Sequence, residues 1–412
     1  MLRAVAVAQL AALLLPRSGA ANWQCNAALN LNAGCSQHGG ADCLVCAGKD
    51  QWVLRVAGCS NADIQDYCNA SPNGAHCSTA QGMAYNHDMT GKVAVLTGGD
   101  TGIGYETALA LAGVHATVVI AAYDLVHGTK IASNISAATG NSHVSALQID
   151  LASFASVRSF ANSLMSRHGV VDILLNDAGI SDNPTGEITK DGFERVMQVN
   201  YIGPFLLTEL LLPALRKSAA AAKVINVASG ASFQACSWSN RGPNCLSGQE
   251  AWLSDARTPC PPKTGFQQMN TNYGITKFMQ VAHMKALAAR ERRLKSTLHA
   301  YSLRPGYVET PMTDDPDPGG MDSYAFCVMA CGAEGLTCTQ GQPGGTCPMP
   351  PQNGAATPSF LSVTDITKLT EGAFYYECDA IAEPTTPGWD WKRDPERLFN
   401  LTSTWIGAHL VR

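Results

Sequence analysis

The stretch Thr97-Gly98-Gly99-Asp100-Thr101-Gly102-Ile103-Gly104 decides the fold of this 412-residue chain. The run from Val93 to Thr97 predicts a buried strand that ends at this stretch, and Tyr105 to Leu111 predicts a helix that follows it. Glycines at such a junction permit a tight turn and a close backbone approach, and the helix N-terminus presents N–H groups to phosphates. An ordinary glycine-rich turn is the alternative. With its context, the stretch predicts a dinucleotide-binding loop in which Thr97, Gly98, Asp100, Thr101, Gly102, Ile103 and Gly104 contact the cofactor.

The chain after this loop continues to alternate between apolar runs and helical patterns. Further strands are predicted at Thr117 to Ala121, Val144 to Ile149, Val171 to Leu175 and Val224 to Val227, and helices near 127–138, 153–168 and 190–217. This alternation predicts an α/β fold with a Rossmann-type, doubly wound parallel sheet. Two segments that contain Cys and Pro, 231–265 and 313–352, interrupt the alternation and are predicted to be loop insertions.

The composition is that of a globular protein and gives no sign of a nucleic-acid partner. Hydrophobic residues make up 46% of the chain and charged residues 15%, and the net charge is −5. A basic patch for nucleic acid or for an anionic membrane is not expected from this balance.

The N-terminus has the order of a secretory signal peptide. Arg3 precedes the apolar run Ala4 to Leu15, and small residues follow through Ala21, so residues 1–20 are predicted to be the signal. The run is shorter than the roughly 20 residues that cross a bilayer as a helix, and an uncleaved anchor is the alternative. No other transmembrane span is expected. The predicted location is the secretory pathway, either the lumen of the endoplasmic reticulum or outside the cell.

The cysteines agree with an oxidising compartment. The chain has 15, of which seven lie in residues 22–85, a segment with few aliphatic runs that we predict to be a small disulfide-rich module. Because seven is odd, one of these is free or pairs outside the segment. Cys43 and Cys46 also permit zinc or a redox pair, but a structural disulfide is favoured, and no metal site is predicted. Three sequons, at Asn69, Asn134 and Asn400, are compatible with a glycoprotein.

Residues after the second and third strands bear on the choice of cofactor. Tyr123 and Asp124 follow the second strand, where an acidic residue usually binds the ribose and an Arg accommodates a 2′-phosphate. No Arg or Lys stands there, which favours NAD over NADP weakly. Asp150 is a candidate partner for the adenine amino group, and a helix N-cap is the equally favoured alternative.

A second motif supplies proton chemistry. Tyr273 and Lys277 are four residues apart, so on a helix they share a face. A neighbouring ammonium and a cationic nicotinamide would stabilise the phenolate and lower the Tyr pKa from about 10. Ser229 directly follows the strand that ends at Val227, at the sheet edge where open α/β folds place their sites. The two motifs together predict hydride transfer between nicotinamide and a carbonyl or alcohol carbon.

From about residue 90 to 412 the chain resembles the short-chain dehydrogenase/reductase family. The resemblance rests on GIGYETALALA from residue 102, DLASFASVRSFA from residue 150, TKDGFE from residue 189, VNYIGPFLLT from residue 199 and RPGYVETPM from residue 304. These phrases are most similar to the branch of retinol dehydrogenases, WW-domain oxidoreductases and protochlorophyllide reductases.

The resemblance implies a role for each site residue. Tyr273 would be the catalytic acid/base, Lys277 would bind the nicotinamide ribose and lower the Tyr pKa, Ser229 would hydrogen-bond the substrate oxygen, and Asn200 would hold a water that links Lys277 to solvent. The remaining cofactor contacts would be made by Leu151, Asn176, Ala178, Gly179, Pro305, Gly306, Val308 and Thr310.

Two departures from the family pattern stand in the cofactor region. Asp177 replaces a usual Asn, and Tyr123 replaces the Arg of close relatives, which puts the NADP preference of the branch in doubt. The resemblance implies an NAD(P)-dependent oxidoreductase acting on a small hydrophobic alcohol or carbonyl, and it allows a homo-oligomer. The alternative is a secreted or lumenal binding or structural protein on an inactive dehydrogenase scaffold.

Overall fold

The computed structural model describes the chain from residue 77 to residue 407 with gaps. The described residues are 77, 79–84, 87–181, 186–234, 273–312, 349–384 and 389–407. The predicted signal peptide, nearly all of the Cys-rich module and most of both predicted insertions lie outside them.

One eight-stranded sheet organises the described residues. Its strands are β1 Val93–Thr97, β2 Thr117–Ala122, β3 Val144–Gln148, β4 Ile173–Asn176, β5 Lys223–Val227, β6 His299–Leu303, β7 Phe374–Tyr376 and β8 Asp379–Ile381. Their order is β3-β2-β1-β4-β5-β6-β7-β8, and every neighbouring pair is parallel except β7 with β8. The order reverses between β1 and β4, so the carboxyl ends of these strands border a crevice suited to a ligand.

Helices cover both faces of the sheet. They are α1 Ala80–Ala84, α2 Gly102–Gly113, α3 Leu125–Thr139, α4 Phe154–Arg167, α5 Arg195–Met197, α6 Gly203–Leu215, α7 Gly274–Arg293, α8 Pro351–Gly354, α9 Ala356–Val363 and α10 Asp394–Trp405. The predicted α/β, doubly wound architecture is confirmed.

The strands carry apolar side chains on both faces because each face is covered. In β4, Leu174 packs into one core with α4, α6 and α7, whereas Ile173 and Leu175 pack into the other with α2 and α9. The near-continuous apolar strands of the sequence are therefore those of a parallel sheet between two helix layers.

The predicted long helix 190–217 is divided in the structure. Gly192 has a φ of 87°, and Glu194 caps a helix that begins at Arg195 by accepting from the N–H groups of Val196 and Met197. A π-helical turn, Gln198–Ile202, separates this first turn from α6. The apolar pattern of the sequence predicts one helix over 190–217, but the Glu194 carboxylate caps the helix and so fixes its start at Arg195.

The C-terminal part of the chain was predicted least well, because β6, β7, β8 and α9 were not assigned from the sequence. A disulfide joins Cys77 to Cys378, across 301 residues, at the turn between β7 and β8. Cys77, one of the N-terminal seven, thus pairs outside its own segment. Cys378 is buried, and its N–H donates to Thr357 Oγ1 in α9 at 3.3 Å. The disulfide therefore fastens the N-terminal region to the edge of the sheet.

Replacing both Cys77 and Cys378 by Ser should lower the free energy of unfolding by about 3–5 kcal/mol, because the long covalent loop is opened in the unfolded chain. Denaturant unfolding of the oxidised protein measures the change. Thr357→Val is the matched control: it keeps the disulfide and removes one hydroxyl acceptor, at a cost of about 1 kcal/mol. Equal stability of the double variant and the wild type would contradict the assignment.

Candidate active site

The glycine loop forms the tight turn that the sequence predicts. Gly98 and Gly102 have φ values of 68° and 53°, in the left-handed region that favours glycine. A Cβ on Gly104 would lie 2.7 Å from the carbonyl carbon of Gly98, so α2 packs directly on the loop only because this residue has no side chain. Thr101, the N-cap of α2, makes no side-chain capping bond. The first turn of α2 is therefore shaped to receive a phosphate group.

The end of β4 lies beside this loop. Ala178 N donates to Thr97 O at 3.1 Å, and a Cβ on Gly98 would lie 3.0 Å from the Ala178 Cα. Gly179 faces the other side of the crevice, where a Cβ would lie 3.5 Å from Lys277 Nζ. Asn176 differs from its neighbours, because its side chain is buried and donates to Asn226 Oδ1 at 2.9 Å. A contact of Asn176 with a cofactor would therefore involve its backbone.

The two acidic residues after β2 and β3 are engaged in local hydrogen bonds. Asp124 caps α3, accepting from Val126 N at 2.8 Å, and Tyr123 beside it is 68% exposed. Asp150 accepts from Ala152 N at 2.9 Å, while the N-cap of α4 is Ser153. Asp150 thus stands in a turn before the helix rather than at the cap position itself.

The loop after β6 reaches the glycine loop. Gly306 has a φ of 88°, and Thr310 lies so close to Gly102 that a Cβ there would be 3.0 Å from the Thr310 Cγ2. Val308 forms an isolated parallel bridge with Met349. Of the predicted contacts on this loop, Thr310 therefore lies beside the glycine loop, whereas Gly306 lies against Met349 and Tyr376, and Val308 lies against Gly354.

The predicted proton-transfer residues meet at the carboxyl ends of β5 and β4. Tyr273 directly precedes α7, and the Lys277 ammonium lies 5.4 Å from the centre of its ring. Lys277 is buried and donates to Val227 O at 2.8 Å. The Ser229 hydroxyl hydrogen-bonds the Tyr273 phenol. The helical spacing and the strand-end position predicted from the sequence bring these three side chains together.

Asn200 supports this group from the π-helical turn. Its side chain accepts from Ile180 N at 2.8 Å and donates to Thr276 Oγ1 at 3.2 Å. Its backbone oxygen accepts from Gln280 Nε2 at 2.6 Å. Gln280, which the sequence analysis did not single out, is fully buried and holds the backbone of Asn200, the residue predicted to hold a water that links Lys277 to solvent.

The pKa of Tyr273 in the structure is higher than the sequence analysis expected. The Lys277 ammonium was expected to lower the pKa of Tyr273, but burial raises that pKa to about 12, against the opposing hydrogen bond from Ser229. The Asp177 carboxylate raises the Tyr273 pKa further. The expectation counted the nearby cation but not the loss of water around the phenol.

Asp177 is the charged residue of the site that the predicted set omitted. Its carboxylate lies at the start of α2, where a Cβ on Gly104 would be 2.8 Å from Asp177 Oδ2. Burial raises the pKa of Asp177, and the Lys277 charge opposes that rise. The signal in the sequence was the replacement of the usual Asn of the family.

Metal-binding clusters and membrane-spanning helices are absent from the described ranges. There, no group of three His, Cys, Asp or Glu side chains could hold a metal ion. In the same part of the chain, every helix is too short or too polar to cross a bilayer.

Comparison with known proteins finds a family model described as short chain dehydrogenase, which matches residues 92–240. The human protein named dehydrogenase/reductase SDR family member 13 is 31% identical over 325 residues, which are 78% of this chain and 74% of that protein. Mouse retinol dehydrogenase 12 is 35% identical over 59% of this chain and 68% of its own. The chain spans about two thirds of the length of such curated relatives.

A solved structure supports the fold. The crystal structure of an uncharacterized protein from Mycobacterium paratuberculosis superposes with a TM-score of 0.53 at 22% identity, covering 80% of this chain and 98% of that one. At this identity the likeness concerns the fold alone.

Gly104→Ala should weaken dinucleotide binding by at least about tenfold, since the new Cβ meets the Gly98 backbone and must move the loop. Fluorescence titration with NADH measures the dissociation constant. Gly113→Ala, at the other end of α2, is the matched control because its nearest neighbour is the Thr139 Cγ2 at 4.0 Å. Unchanged affinity in Gly104→Ala would show that the loop does not hold the cofactor.

Proposed function

The chain belongs to the short-chain dehydrogenase/reductase family and is an NAD(P)-dependent enzyme of that family, and we propose that it interconverts a hydrophobic alcohol and its carbonyl with Tyr273 as the acid/base. One observation carries the proposal. Ser229, Tyr273 and Lys277 converge at the carboxyl edge of the sheet, on the same crevice as the glycine loop.

The residues around the crevice fit a nicotinamide dinucleotide. Its diphosphate would lie at the first turn of α2, and its ribose next to Lys277. A bound cofactor of this kind supplies or accepts the hydride. The protein residues then have the task of holding the substrate oxygen and of moving one proton to or from it.

Each of the three polar side chains has a separate task. The Ser229 hydroxyl, which accepts from Ala231 N at 3.2 Å, would orient the substrate oxygen. The Tyr273 phenol would donate its proton to that oxygen in reduction and remove it in oxidation. The Lys277 ammonium would favour the phenolate. Because the pKa of Tyr273 is raised to about 12, chiefly by burial, positive charge must offset that rise for proton transfer near neutral pH.

The substrate class is proposed from the relatives. One relative is named for retinol, an apolar alcohol, and 35% identity over 59% of this chain supports a substrate of similar character. An apolar alcohol or aldehyde of retinoid or other lipid type is therefore the proposed class.

NAD is the proposed cofactor rather than NADP. Tyr123 occupies the position after β2 where a cation would meet a 2′-phosphate, and the Asp124 carboxylate adjoins it at the N-terminus of α3. A second negative group there would be repelled rather than paired.

The secretory pathway is the proposed location. The Cys77–Cys378 disulfide joins residues 301 apart in the sequence, and such bonds persist in oxidising compartments. The sequence also supplies the signal-like residues 1–20 and exposed sequons at Asn134 and Asn400. Within that pathway the lumen of the endoplasmic reticulum is favoured over the cell exterior, since nicotinamide cofactor is scarce outside cells. A homo-oligomer is a further expectation of the family resemblance.

Tyr273→Phe should lower kcat about 10²- to 10⁴-fold, since the acid/base proton is lost while the ring is kept. Oxidation of all-trans-retinol with NAD⁺ and reduction of all-trans-retinal with NADH measure turnover, and NADH fluorescence measures binding. Binding should stay close to that of the wild type. The alternative function, a binding protein on an inactive scaffold, would be favoured if the wild type bound NADH but turned over no alcohol or carbonyl.

Tyr123→Arg should shift the preference toward NADPH by about tenfold, because a guanidinium would pair with the 2′-phosphate. The ratio of the NADH and NADPH dissociation constants measures this. Leu294→Arg, an exposed position at the end of α7, adds the same charge at the opposite edge of the sheet and should leave the ratio unchanged. Tighter wild-type binding of NADPH than of NADH would refute the proposed preference.

A further inference from the structure

The backbone oxygen of Asn200 lacks the donor that an α-helix would give it. In an α-helix this oxygen would accept from the N–H group four residues further on, but that residue is Pro204, which has no N–H. The chain instead forms the π-helical turn Gln198–Ile202 directly before α6. Asn200 is fully buried, and a buried backbone oxygen needs a hydrogen-bond partner. This oxygen is therefore open to a donor from another element.

Gln280 of α7 supplies such a donor. Its Nε2 group donates to Asn200 O at 2.6 Å, and the residue is fully buried. Gln280 is itself held by the sheet, because its backbone oxygen accepts from Asn226 Nδ2 in β5 at 3.2 Å. The position of the π-helical turn is thereby fixed relative to β5 and α7.

A second residue of α7 holds the side chain of Asn200. Thr276 lies four residues before Gln280, so the two share a face of the helix. Thr276 Oγ1 accepts from Asn200 Nδ2 at 3.2 Å and donates to Tyr273 O at 2.7 Å. One face of α7 therefore bonds Asn200 at both its backbone and its side chain, and the same bonds reach the backbone of Tyr273.

The side chain of Asn200 lies beside the proposed proton-transfer residues. A Cβ on Gly179 would lie 3.2 Å from Asn200 Oδ1 and 3.5 Å from Lys277 Nζ, so both side chains border this glycine. Asn200 Oδ1 also accepts from Ile180 N at 2.8 Å, in the loop that follows β4. A shift of the π-helical turn would therefore move a polar group next to Lys277 and weaken the bond to Ile180.

We propose that Gln280 is a positioning residue for the reaction, which holds Asn200 beside Lys277 through the backbone oxygen that Pro204 leaves without a helical donor. The inference rests on the proposed function for its catalytic meaning, whereas the positional relation does not depend on turnover. Gln280 acts through Asn200, so its removal should lower kcat and leave the NADH dissociation constant unchanged.

The Gln280→Met variant removes the donor and keeps a side chain of similar length in the core. Reduction of all-trans-retinal by the full oxidised protein should show a kcat about tenfold lower or less, because small displacements of groups around a reacting centre are costly. Thr402→Val is the matched control. Thr402 Oγ1 hydrogen-bonds Tyr201 Oη at 2.8 Å, so this variant loses an equally buried bond to the neighbouring residue of the same turn. Its kcat should stay close to that of the wild type.

Hydrogen exchange measured by NMR reports the position of Asn200 without any turnover. The exchange rate of the Ile180 amide is compared with that of the Ala228 amide, which donates to the backbone of β6 and serves as the internal reference. The ratio of the two rates should rise in Gln280→Met and stay constant in Thr402→Val.

A double variant tests whether Gln280 acts through Asn200. Asn200→Ala combined with Gln280→Met should lower kcat no further than Asn200→Ala alone, because residues that act through one another are not additive. A role of Gln280 that is limited to stability would instead give additive losses.

The inference would be overturned by an unchanged Ile180 exchange ratio in Gln280→Met, by an equal rise of that ratio in Thr402→Val, or by additive losses of kcat. Gln280→Asn, whose amide is shorter by one methylene, is the second variant if Met prevents folding, and the same changes are expected for it. If the wild type turns over no substrate, the proposed function fails, while the Ile180 exchange ratio still decides whether Gln280 holds Asn200.

Discussion

The candidate site depends on a buried chain of amide side chains that runs beneath it. Asn176 in β4 donates to Asn226 in β5, and the Asn226 amide donates to the backbone oxygen of Gln280 in α7. Gln280 in turn donates to the backbone oxygen of Asn200. These hydrogen bonds join β4, β5, α7 and the π-helical turn to one another. Buried amides that are hydrogen-bonded in this way specify one arrangement of the elements that carry them.

The amide chain matters because it helps to fix the position of α7 relative to the sheet, and α7 carries the residues that ionise. Lys277 and Tyr273 extend from α7, and Ser229 extends from the end of β5, so their mutual distances depend on how α7 is set against the sheet. Burial disfavours the ionised forms of both Lys277 and Tyr273, lowering the pKa of the first and raising that of the second. Small changes in their separation would alter the energy of each ionised form considerably. The uncharged amide chain therefore affects the ionisation of Lys277 and Tyr273, because it fixes the distance between them.

The sequence was sufficient to predict the nucleotide-binding half because its signals are local. Short buried apolar runs predict β1, β2 and β4, of which β1 and β4 are followed by glycine turns, and the spacing of Tyr273 and Lys277 predicts a shared helix face. The roles of Gln280 and Asp177 could not be predicted in the same way. A Gln in a helix and an Asp in a turn are ordinary, and only the tertiary packing shows that the first contacts Asn200 and the second lies at the start of α2. The pairing of Cys77 with Cys378 joins residues far apart in the sequence, and the odd count predicted only that one cysteine was free or paired outside the segment.

The two segments predicted to be Cys-containing insertions, 231–265 and 313–352, adjoin residues whose positions the sheet fixes. At the start of the first, the Ser232 hydroxyl donates to Ser229 O at 2.6 Å. The second is closed at its base, where Met349 N donates to Tyr307 O and Glu309 N donates to Met349 O, each at 2.9 Å. These hydrogen bonds hold the two ends of the connection together. The entropic cost of closing such a connection grows only slowly with its length. Both bases adjoin the carboxyl ends of β5 and β6, where α/β folds bind ligands. Sequence added at these points can therefore alter what enters the crevice while Ser229, Tyr273 and Lys277 keep their places.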